Sequence, residues 1–447
     1  MTEKISRSAF LQKVGIATAG IVAGSSLLNN KSYARVLGAN DRVRLAYAGL
    51  NGRGVGLIDS FSSAGGIDIV YICDPEKGAR ERGIQAAKEK GFSPQGLEDF
   101  RTILDPNKID ALLVAAPDHW HTPAGILAAK NKVNVYVEKP VGQNAAEGEM
   151  LVEAWKKYKV VMGVGSQRRS VPYFQQCMQM LHEGEIGKIY MAKGWYVNNR
   201  AASHFKKGAA IPAGLNWDLW QGPAPRVPYI DGVVHYDWHW TWHWGSSEAA
   251  NNGPHEMDLM AWATKPPFPS KVTAMGGRYQ YEDSWECPDT LKIMWECPGL
   301  MICWDGHSRN GAKIENQGRG TWYYGTNGSM QLQDGFCNIF DPKGKLLKTI
   351  KNEGSSTGDD GTNTVSPGKY MDVLHAQNFL DTIRGKAKLN VTPTDGHLAA
   401  LYLHLGNVSQ RLGRSLNLDP KNGHIIGDNE AQKFFGRSYE KGWEPKV

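Results

Sequence analysis

The stretch LAYAGLNGRG at residues 45–54 ends a short apolar run and leads into a helical pattern. Gly49 and Gly54 take the first and third glycine positions of the dinucleotide-binding pattern G-x-G-x-x-G. Asn51 takes the middle position, with Gly52 beside it, and asparagine tolerates left-handed backbone better than most residues. Glycines at such a turn let the backbone approach a pyrophosphate, and the next helix offers free N–H groups. The stretch therefore predicts a dinucleotide-binding turn.

An acidic residue, Asp74, ends the next apolar run, about 20 residues after Gly54. At that place a carboxylate binds the ribose hydroxyls of NAD and repels the 2′-phosphate of NADP. We therefore predict NAD as the cofactor. Arg53 is included among the cofactor-binding residues because its cation could lie near a phosphate. The alternative role for Asp74 is that of an ordinary turn or helix-capping residue.

The order of apolar runs and helical patterns predicts a doubly wound first domain. Five short apolar runs alternate with four helical patterns between residues 43 and 164. Strands that alternate with helices imply right-handed crossovers and a parallel sheet. We therefore predict an α/β fold in which residues 41–165 form an N-terminal NAD-binding Rossmann domain.

The pattern changes after residue 165. An irregular stretch at residues 200–253, rich in Trp, Pro, Gly and His, is followed by consecutive strand-like runs between residues 271 and 340. A Gly/Ser/Thr/Asp-rich loop is predicted at residues 352–368, with helices on either side of residue 390. We predict an α+β substrate-binding domain at residues 166–412, built on a predominantly antiparallel open sheet, and a C-terminal extension at residues 413–447. The closing helices are expected to pack back against the first domain.

The first 34 residues have the pattern of a signal peptide: a basic start, an apolar run at residues 14–28 and a small-x-small site ending at Ala34. The stretch SRSAFL at residues 6–11 is similar to a twin-arginine signal, with Ser8 in place of the second arginine. We therefore predict an exported, periplasmic protein without a stable membrane anchor after cleavage. The alternative is an uncleaved N-terminal anchor.

The composition narrows the classes of partner. The net charge is +6, and residues 1–34 carry half of it, which leaves too little positive charge to indicate nucleic acid binding. The six cysteines form no C-x-x-C pair, which argues against a zinc ribbon or a thioredoxin-like site. The 15 tryptophans indicate flat apolar platforms for a ligand such as a sugar, or else a Trp-rich core or a subunit interface.

Two further strand ends carry short motifs, APDHWH at residues 116–121 and VYVEKP at residues 135–140. This pair resembles the Gfo/Idh/MocA family of sugar oxidoreductases, whose members carry T-P-x-x-x-H and E-K-P at these places. Pro117 and His121 match the first motif, in which Ala116 replaces the threonine. The second motif is matched in full by Glu138, Lys139 and Pro140. Because ligands bind beyond the carboxyl ends of parallel strands, the resemblance implies that these residues lie beside the nicotinamide.

A third match lies in the second domain, where NNGPHEMD at residues 251–258 resembles the family's D-x-x-x-H-x-x-D segment. His255 matches the catalytic histidine and Asp258 the following acid. Asn251 stands where the family has its first aspartate, and an amide cannot tune the histidine as a carboxylate would. The resemblance covers nearly the whole chain after the leader and implies a small-molecule carbohydrate substrate. We expect the chain to form a homo-oligomer, a dimer or a tetramer.

The oxidation of a sugar alcohol requires a base and a group that stabilises negative charge, because it removes a hydride from carbon and a proton from oxygen. NAD takes the hydride. His255 is the predicted base, since an imidazole titrates near the working pH. Lys139 is predicted to hold the hydroxyl oxygen and to stabilise developing negative charge, and burial would lower its pKa. The alternative roles are a satisfied core histidine and a solvated surface lysine.

The stretch HYDWHWTWHWG at residues 235–245 is predicted to line the sugar site, with Trp rings under pyranose faces. Trp244, the nearest of these rings to His255 in the sequence, is the predicted substrate contact. The three histidines are four residues apart, but alternating aromatics argue against a helix and no further ligands complete a set, so no metal is predicted. The alternative is that the rings pack a subunit interface.

Two polar residues follow the last strand of the first domain. The resemblance implies that Gln167 lies near the cofactor and Arg168 near the substrate, although either side chain could simply be solvated.

Three functions remain open at this stage. The first is an NAD-dependent oxidoreductase that acts on a CH–OH group of a sugar, sugar derivative or polyol. The second is an NAD-dependent glycosidase that works by transient ring oxidation, elimination, hydration and re-reduction, with no net cofactor turnover. The third is a non-catalytic sugar-binding protein, against which the retention of both Lys139 and His255 speaks. Fold alone decides none of these.

Overall fold

The computed structural model describes residues 42–354 and 369–447. The predicted signal peptide and most of the predicted loop at residues 352–368 lie outside the described residues. Within the described ranges, no helix combines the length and the apolar character that a membrane span requires.

The first domain is a six-stranded parallel sheet flanked by helices. Its elements, in chain order, are β1 (Val43–Ala48), α1 (Gly52–Ala64), β2 (Ile67–Cys73), α2 (Lys77–Glu89), β3 (Gln95–Leu97), β4 (Ala111–Val114), α3 (Asp118–Lys130), β5 (Asn134–Val137), α4 (Ala145–Tyr158) and β6 (Met162–Val164). The strand order is β3-β2-β1-β4-β5-β6, and every pair is parallel. The predicted Rossmann domain is confirmed. The order reverses between β1 and β4, which opens a crevice at the carboxyl ends of these strands.

The central strands of this sheet are buried on both faces, as in other sheets that helices cover on both sides. On β4, Leu112 and Val114 pack in one apolar cluster, whereas Ala111 and Leu113 pack in the cluster on the opposite face. This alternation follows from the two-residue period of a strand. Leu45 of β1 joins the second cluster, so the two strands of the crevice are held by the same layers.

The second domain is built on a nine-stranded sheet. The remaining elements, in chain order, are α5 (Pro172–His182), β7 (Ile189–Val197), β8 (Lys206–Lys207), α6 (Trp217–Gln221), β9 (Ile230–Asp231), α7 (Ser247–Asn252), α8 (Pro254–Thr264), β10 (Lys271–Gly277), β11 (Thr290–Cys297), β12 (Leu300–His307), β13 (Arg319–Gly325), β14 (Gly328–Leu332), β15 (Phe336–Phe340), β16 (Leu346–Lys351), α9 (Lys369–Ile383), α10 (Pro393–Leu412), β17 (Leu416–Asn417) and α11 (Asn429–Gln432). The strand order is β16-β15-β14-β13-β7-β12-β11-β10-β17, in which only β7 and β12 pair in parallel. The prediction of a predominantly antiparallel sheet is confirmed.

One face of this sheet is covered and the other is open. Along β11, Leu291, Ile293 and Trp295 are buried, while the residues between them are exposed. The buried side chains pack in one apolar cluster with residues of α8 and α10, such as Met260 and Leu403. The sheet therefore presents one face to the helices and leaves the other to solvent.

The last helices return to the first domain, as expected. Helix α9 packs against α1, and α10 packs against α4. Helix α10 begins with a capping box, in which Thr392 and Asp395 each accept a hydrogen bond from the other's backbone N–H. The chain end also returns, because the ring of Trp443 packs edge-on against Trp120, 5.5 Å between centroids.

Residues 200–245, which we call the strap, cross the carboxyl edge of the first sheet. The backbone N–H of Lys77 donates to the carbonyl of Gly214 at 2.9 Å, and that of Asn216 donates to the carbonyl of Pro75 at 3.0 Å. Further along, the indole of Trp120 donates to the carbonyl of Trp220 at 3.1 Å. The strap is largely irregular, as predicted, and lies over the crevice of the first domain. The prediction of irregular structure up to residue 253 is wrong at its end, where residues 247–252 form α7.

Candidate active site

A cavity of about 520 Å³ opens where the carboxyl ends of β1, β2, β4 and β5 meet the strap and the helices α7 and α8. Residues of both domains line it. This volume lies within the range of about 300–1,000 Å³ that is typical of small-molecule and cofactor sites. Its walls therefore contain the candidate residues for binding and chemistry.

The turn after β1 forms one end of the cavity and requires glycine at two places. Gly49 has a φ of +89°, and a Cβ there would lie 2.5 Å from the backbone nitrogen of Ala116. A Cβ on Gly54 would lie 1.9 Å from the carbonyl oxygen of Gly49. Asn51 has a φ of −81°, an extended conformation open to any residue, so the expected need for left-handed tolerance at this position is wrong. The pattern's middle glycine can thus be replaced without strain.

Helix α1 begins at this turn without a side-chain cap, because Asn51 makes no capping hydrogen bond. The first turn of the helix, including Gly52, lines the cavity. Uncapped N–H groups at a helix N-terminus favour an anionic group such as a pyrophosphate. Gly54 itself lies behind the wall and does not line the cavity.

Asp74 lies at the end of β2 and lines the cavity while being 7 % exposed. Its carboxylate accepts hydrogen bonds from the backbone N–H groups of Leu50 at 2.7 Å and Glu76 at 2.9 Å. Burial raises the pKa of Asp74 to about 6, and these two hydrogen bonds oppose the shift. The carboxylate is thus fixed beside the turn after β1, and its contact with a ribose stays a prediction.

Arg53 lines the cavity, and two carboxylates hold its side chain. Its guanidinium donates to Glu138 at 2.7 Å and to both carboxylate oxygens of Asp372 at 2.8 and 3.0 Å. Its charge is therefore shared between the Glu-Lys-Pro turn and helix α9. Both carboxylates hold the side chain in place, and the expected contact of the Arg53 cation with a phosphate stays a prediction.

The two motif turns of the first domain are joined by His121. Its ring nitrogens lie 2.8 Å from the carbonyl oxygens of Pro140 and Ala116. Burial lowers the pKa of His121. Pro117, His121 and Glu138 line the cavity, whereas Pro140 lies behind them. The histidine thus supports the wall in which Lys139 stands.

Lys139 reaches across to the second domain. Its Nζ donates to the backbone carbonyl of Asn251 at 2.7 Å and to the side-chain oxygen of the same residue at 3.2 Å. Burial lowers the pKa of Lys139, while the negative charges of Glu138 and Asp118 oppose that shift. Both Lys139 and Asn251 line the cavity.

His255 is the second residue of α8 and lines the same cavity. It is 9 % exposed. Burial lowers the pKa of His255 well below its usual value, and the positive charges of Arg319 and Arg168 act in the same direction. The ring is therefore neutral near pH 7, the form that can accept a proton.

Three predicted substrate residues lie outside the cavity lining. Trp244 is 1 % exposed and packs edge-on against Trp217 and Trp220, so the prediction that it lines the pocket is corrected. Arg168 forms a bidentate ion pair with Asp334 at 2.7 Å.

Asp258 likewise turns away from the cavity and pairs with Arg169, 2.9 Å between the guanidinium and the carboxylate. These partners are distant in sequence, which is why the motif alone did not reveal the pairing. Gln167, by contrast, does line the cavity.

Several lining residues were not predicted. Asp118 follows the proline of the first motif, is buried, and accepts a hydrogen bond from Ser246. Burial raises the pKa of Asp118 to about 7. Its position directly after Pro117 at a strand end was the signal that could have found it.

The strap supplies another wall, in which Arg200 was not predicted and the other residues belong to the stretch predicted to line the sugar site. Arg200 pairs with Glu248 at 2.5 Å and donates to the hydroxyl of Tyr236 at 3.0 Å. The ring of His239 stacks on Trp238, 3.6 Å between centroids. Arg200, Tyr236, Trp238 and His239 all line the cavity. The Trp/His-rich stretch thus contributes aromatic surface, although through other rings than the one expected.

The histidines of this stretch are engaged in protein contacts. His239 bonds the carbonyl of Tyr236 at 2.5 Å, and His243 bonds the carbonyl of Pro225 at 2.8 Å. Among residues 42–354 and 369–447, no group of three or more His, Cys, Asp or Glu side chains is arranged to hold a metal ion.

Comparison with protein families agrees with this geometry. Residues 44–166 match the model of an oxidoreductase family with an NAD-binding Rossmann fold, and residues 327–445 match that family's C-terminal alpha/beta domain. This chain belongs to the Gfo/Idh/MocA oxidoreductase family. Its first domain is accordingly an NAD-binding domain, and the prediction of NAD as the cofactor is confirmed.

Curated relatives of this Gfo/Idh/MocA chain include two classes of enzyme. A glycosyl hydrolase family 109 protein of Saccharopolyspora erythraea is 28 % identical over 210 residues, 43 % of this chain and 45 % of the relative. The NAD(+)-dependent scyllo-inositol 2-dehydrogenase of Bacillus subtilis is 32 % identical over 134 residues, 30 % of this chain and 38 % of the relative. These matches span less than half of the length of either relative.

Solved structures share the fold of this family member over most of its length. A levoglucosan dehydrogenase in complex with NADH and L-sorbose superposes with a TM-score of 0.65 at 16 % identity, covering 84 % of this chain and 99 % of that one. At this identity the likeness establishes the fold.

Proposed function

We propose that this protein is an NAD-dependent oxidoreductase that acts on a CH–OH group of a sugar, a sugar derivative or a polyol. The observation that carries the proposal is that Lys139 of the first domain and His255 of the second line one cavity. The dinucleotide-binding turn and Asp74 line the same cavity. Sugar and polyol dehydrogenases among the relatives support the substrate class.

The residues present fit a nicotinamide dinucleotide. The absence of a Cβ at Gly49 lets the turn after β1 approach the backbone of Ala116 closely, and the start of α1 is uncapped. Asp74 offers a fixed carboxylate to ribose hydroxyls. When bound, NAD supplies an acceptor for the hydride.

The chain's own residues handle the proton and the charge. Lys139, held by Asn251, binds the substrate oxygen and stabilises the negative charge that develops as its proton leaves. His255 is the proposed acceptor of that proton, and its ring is neutral beforehand because burial and neighbouring cations lower its pKa. The strap lines one side of the cavity and so reduces access of water to the reacting atoms.

Incubation of the purified protein with NAD and a panel of free sugars and polyols tests the proposal. Formation of NADH on at least one of them is the expected result. If the protein binds NAD but forms NADH with none of the sugars or polyols, the result contradicts net dehydrogenation.

A second candidate function is the NAD-dependent glycosidase, and the strap favours it. Backbone hydrogen bonds tie residues 214–216 to residues 75–77 after β2, and Leu219 and Trp220 of the strap line the cavity. A cofactor enclosed in this way exchanges slowly, which suits a cycle that returns NAD to its starting state. The glycosyl hydrolase family 109 relative is compatible with this cycle.

One experiment separates the two functions. Aryl glycosides are added to the protein with NAD, and the aglycone and NADH are both measured. Release of the aglycone without accumulation of NADH supports the glycosidase, whereas NADH formed in proportion to product supports the dehydrogenase.

We also propose that the chain forms a homo-oligomer through the open face of its nine-stranded sheet. Met275, Met294 and Met301 lie on that face of three adjacent strands and are 79 %, 50 % and 41 % exposed. Neighbouring apolar side chains on an open sheet favour self-association. Light scattering after size-exclusion chromatography is expected to give a dimer or tetramer, and Met294→Glu to shift it toward monomer. A wild-type monomer would contradict this proposal.

A further inference from the structure

A second cavity, of about 210 Å³, lies between α10, the turn that precedes α4 and the chain near residues 434–437. It shares no lining residue with the first cavity. The volume is below the range of about 300–1,000 Å³ typical of sites for larger ligands. A single water takes up about 30 Å³ in the liquid, so the space suits a small molecule or ion.

One wall carries a buried arginine that lacks hydrogen bonds. The side chain of Arg437 is 10 % exposed, and none of its three guanidinium nitrogens has a hydrogen-bond partner. Its charge partner is Glu147, 3.4 Å between Nε and Oε1. Glu147 already accepts hydrogen bonds from the hydroxyl of Tyr439 and the backbone N–H of Gln143. The donors of Arg437 are therefore left for another acceptor.

A second arginine, Arg411, faces the same space from the end of α10. Its guanidinium lies between two rings, 4.5 Å from the centroid of Trp242 and 4.3 Å from that of Phe434. Within the described ranges, Arg411 has neither an ion pair nor a side-chain hydrogen bond. Two aromatic faces thus hold a charged fork in position while its N–H groups stay available.

The remaining polar groups of this wall add no compensating negative charge. His404 also lines the cavity, and its Nε2 has no partner. Burial lowers the pKa of His404 to about 4, so the ring is neutral. The side-chain amides of Gln143 and Asn407 donate hydrogen bonds to backbone carbonyls. The cavity therefore carries two guanidinium groups. Arg437 has an ion pair with Glu147, whereas Glu286 acts on Arg411 electrostatically without forming an ion pair.

We propose that this second cavity binds a small oxyanion, such as phosphate, sulfate or a small carboxylate. Guanidinium groups match the paired oxygens of such anions, and charge-assisted hydrogen bonds of this kind are stronger than neutral ones. An anion there satisfies the donors of Arg437 and neutralises Arg411. This inference stands apart from the proposed oxidoreductase activity, since it uses none of the residues that line the first cavity.

Calorimetric titration of the full chain with inorganic phosphate tests the inference. The titration is run at constant ionic strength with saturating NAD, so that the pyrophosphate-binding turn is blocked. We expect saturable binding of one phosphate per chain. Arg411→Gln is expected to weaken it about ten-fold or more, since a charge-assisted hydrogen bond is lost. Arg411 has no ion pair, so its removal leaves no orphaned carboxylate.

Arg414→Gln is the matched control, because Arg414 follows the same helix but pairs with Asp428 and Glu430 at the surface. The affinity of the Arg414→Gln variant for phosphate is expected to equal that of the wild type. Arg437→Gln supplies a second variant at the opposite wall and is also expected to weaken binding. The inference is overturned by the absence of saturable binding, or by binding that both Arg411→Gln and Arg437→Gln leave unchanged. Parallel titrations with sulfate and acetate distinguish tetrahedral anions from carboxylates.

Discussion

The Nζ of Lys139 lies 2.7 Å from the backbone carbonyl oxygen of Asn251, so a lysine of the first domain is positioned by the backbone of the second. The side-chain oxygen of Asn251 adds a weaker contact at 3.2 Å. A carbonyl is present whatever side chain stands at residue 251. The placement of Lys139 therefore does not depend on the aspartate that other family members carry at this position.

Replacement of Lys139 by alanine is expected to lower kcat by about 10³-fold, because the group that stabilises charge on the substrate oxygen is lost. Affinity for NAD should change little, since the turn at Gly49 and the carboxylate of Asp74 are untouched. Lys156→Ala, on the exposed face of α4, is the control. Turnover assays and calorimetry measure the two quantities. Full activity in Lys139→Ala would reject its proposed role.

Replacement of Asn251 by alanine is expected to cost less than about ten-fold in kcat, since the carbonyl contact with Lys139 remains. Asn251→Asp places a carboxylate beside the ammonium and should raise the pKa of Lys139. In a pH–rate profile, the limb assigned to Lys139 then moves to higher pH. An unchanged profile in Asn251→Asp would show that this residue does not tune the lysine.

Asp74→Ala is expected to weaken NAD binding by about ten-fold or more, because two ribose hydroxyls lose a charged acceptor. Discrimination against NADP should fall at the same time, since the repelling charge is gone. Calorimetric titrations with both cofactors provide the comparison. Equal NAD affinity in wild type and variant would remove Asp74 from the cofactor site.

The buried carboxyl of Asp118 is expected to make the fold less stable as pH rises. Its pKa is raised from 3.8 to about 7, so the folded state binds more protons than the unfolded state in that interval. The contribution of Asp118 to the free energy of unfolding is largest below about pH 4 and is lost as the pH rises through about 7. The loss is at most about 4 kcal/mol, at about 1.4 kcal/mol per pKa unit.

Asp118→Asn keeps the shape of the side chain and cannot titrate. Relative to the wild type, the variant should therefore lose less stability between about pH 4 and about pH 7. Thermal denaturation across this range measures the difference. Parallel curves for the two proteins would show that Asp118 does not titrate in this interval.

Asp372→Asn breaks the bidentate contact with Arg53 and leaves part of a buried charge uncompensated. We expect a loss of about 3 kcal/mol in the free energy of unfolding, in line with other broken buried ion pairs. Chemical denaturation gives the value. The comparison is Asp381→Asn on the same helix, because the Asp381 side chain is 31 % exposed whereas that of Asp372 is 1 % exposed. Equal stability of the two variants would mean that Arg53 finds another partner.

Local patterns predicted five of the six strands of the first domain and two residues that line its cavity. Gly49 and Asp74 follow from the geometry of one strand–turn–helix unit, and Lys139 and His255 were found through short motifs. Strand β3 was missed because Gln95 and Gly96 give no apolar alternation. Strand β16 was missed because its residues are mostly exposed, so no buried face marks it in the sequence.

The walls of the cavity depend on contacts between distant residues, which local patterns do not contain. Ser246 bonds Asp118 from 128 positions away. Trp244 and Trp238 belong to the same aromatic stretch, yet only the latter lines the cavity. Which ring faces inward is decided by the packing of Trp244 against Trp217 and Trp220. Spacing in an irregular segment cannot predict that outcome.

The most direct test of the central claim is rapid mixing of the NAD-loaded protein with its substrate, followed by the absorbance of reduced nicotinamide in the first turnover. Both the dehydrogenase and the glycosidase pass through the reduced cofactor. We predict that reduced nicotinamide appears in the wild type and forms about 10³-fold more slowly in Lys139→Ala. Product formation without any reduced nicotinamide, or an equal rate in Lys139→Ala, would contradict the account.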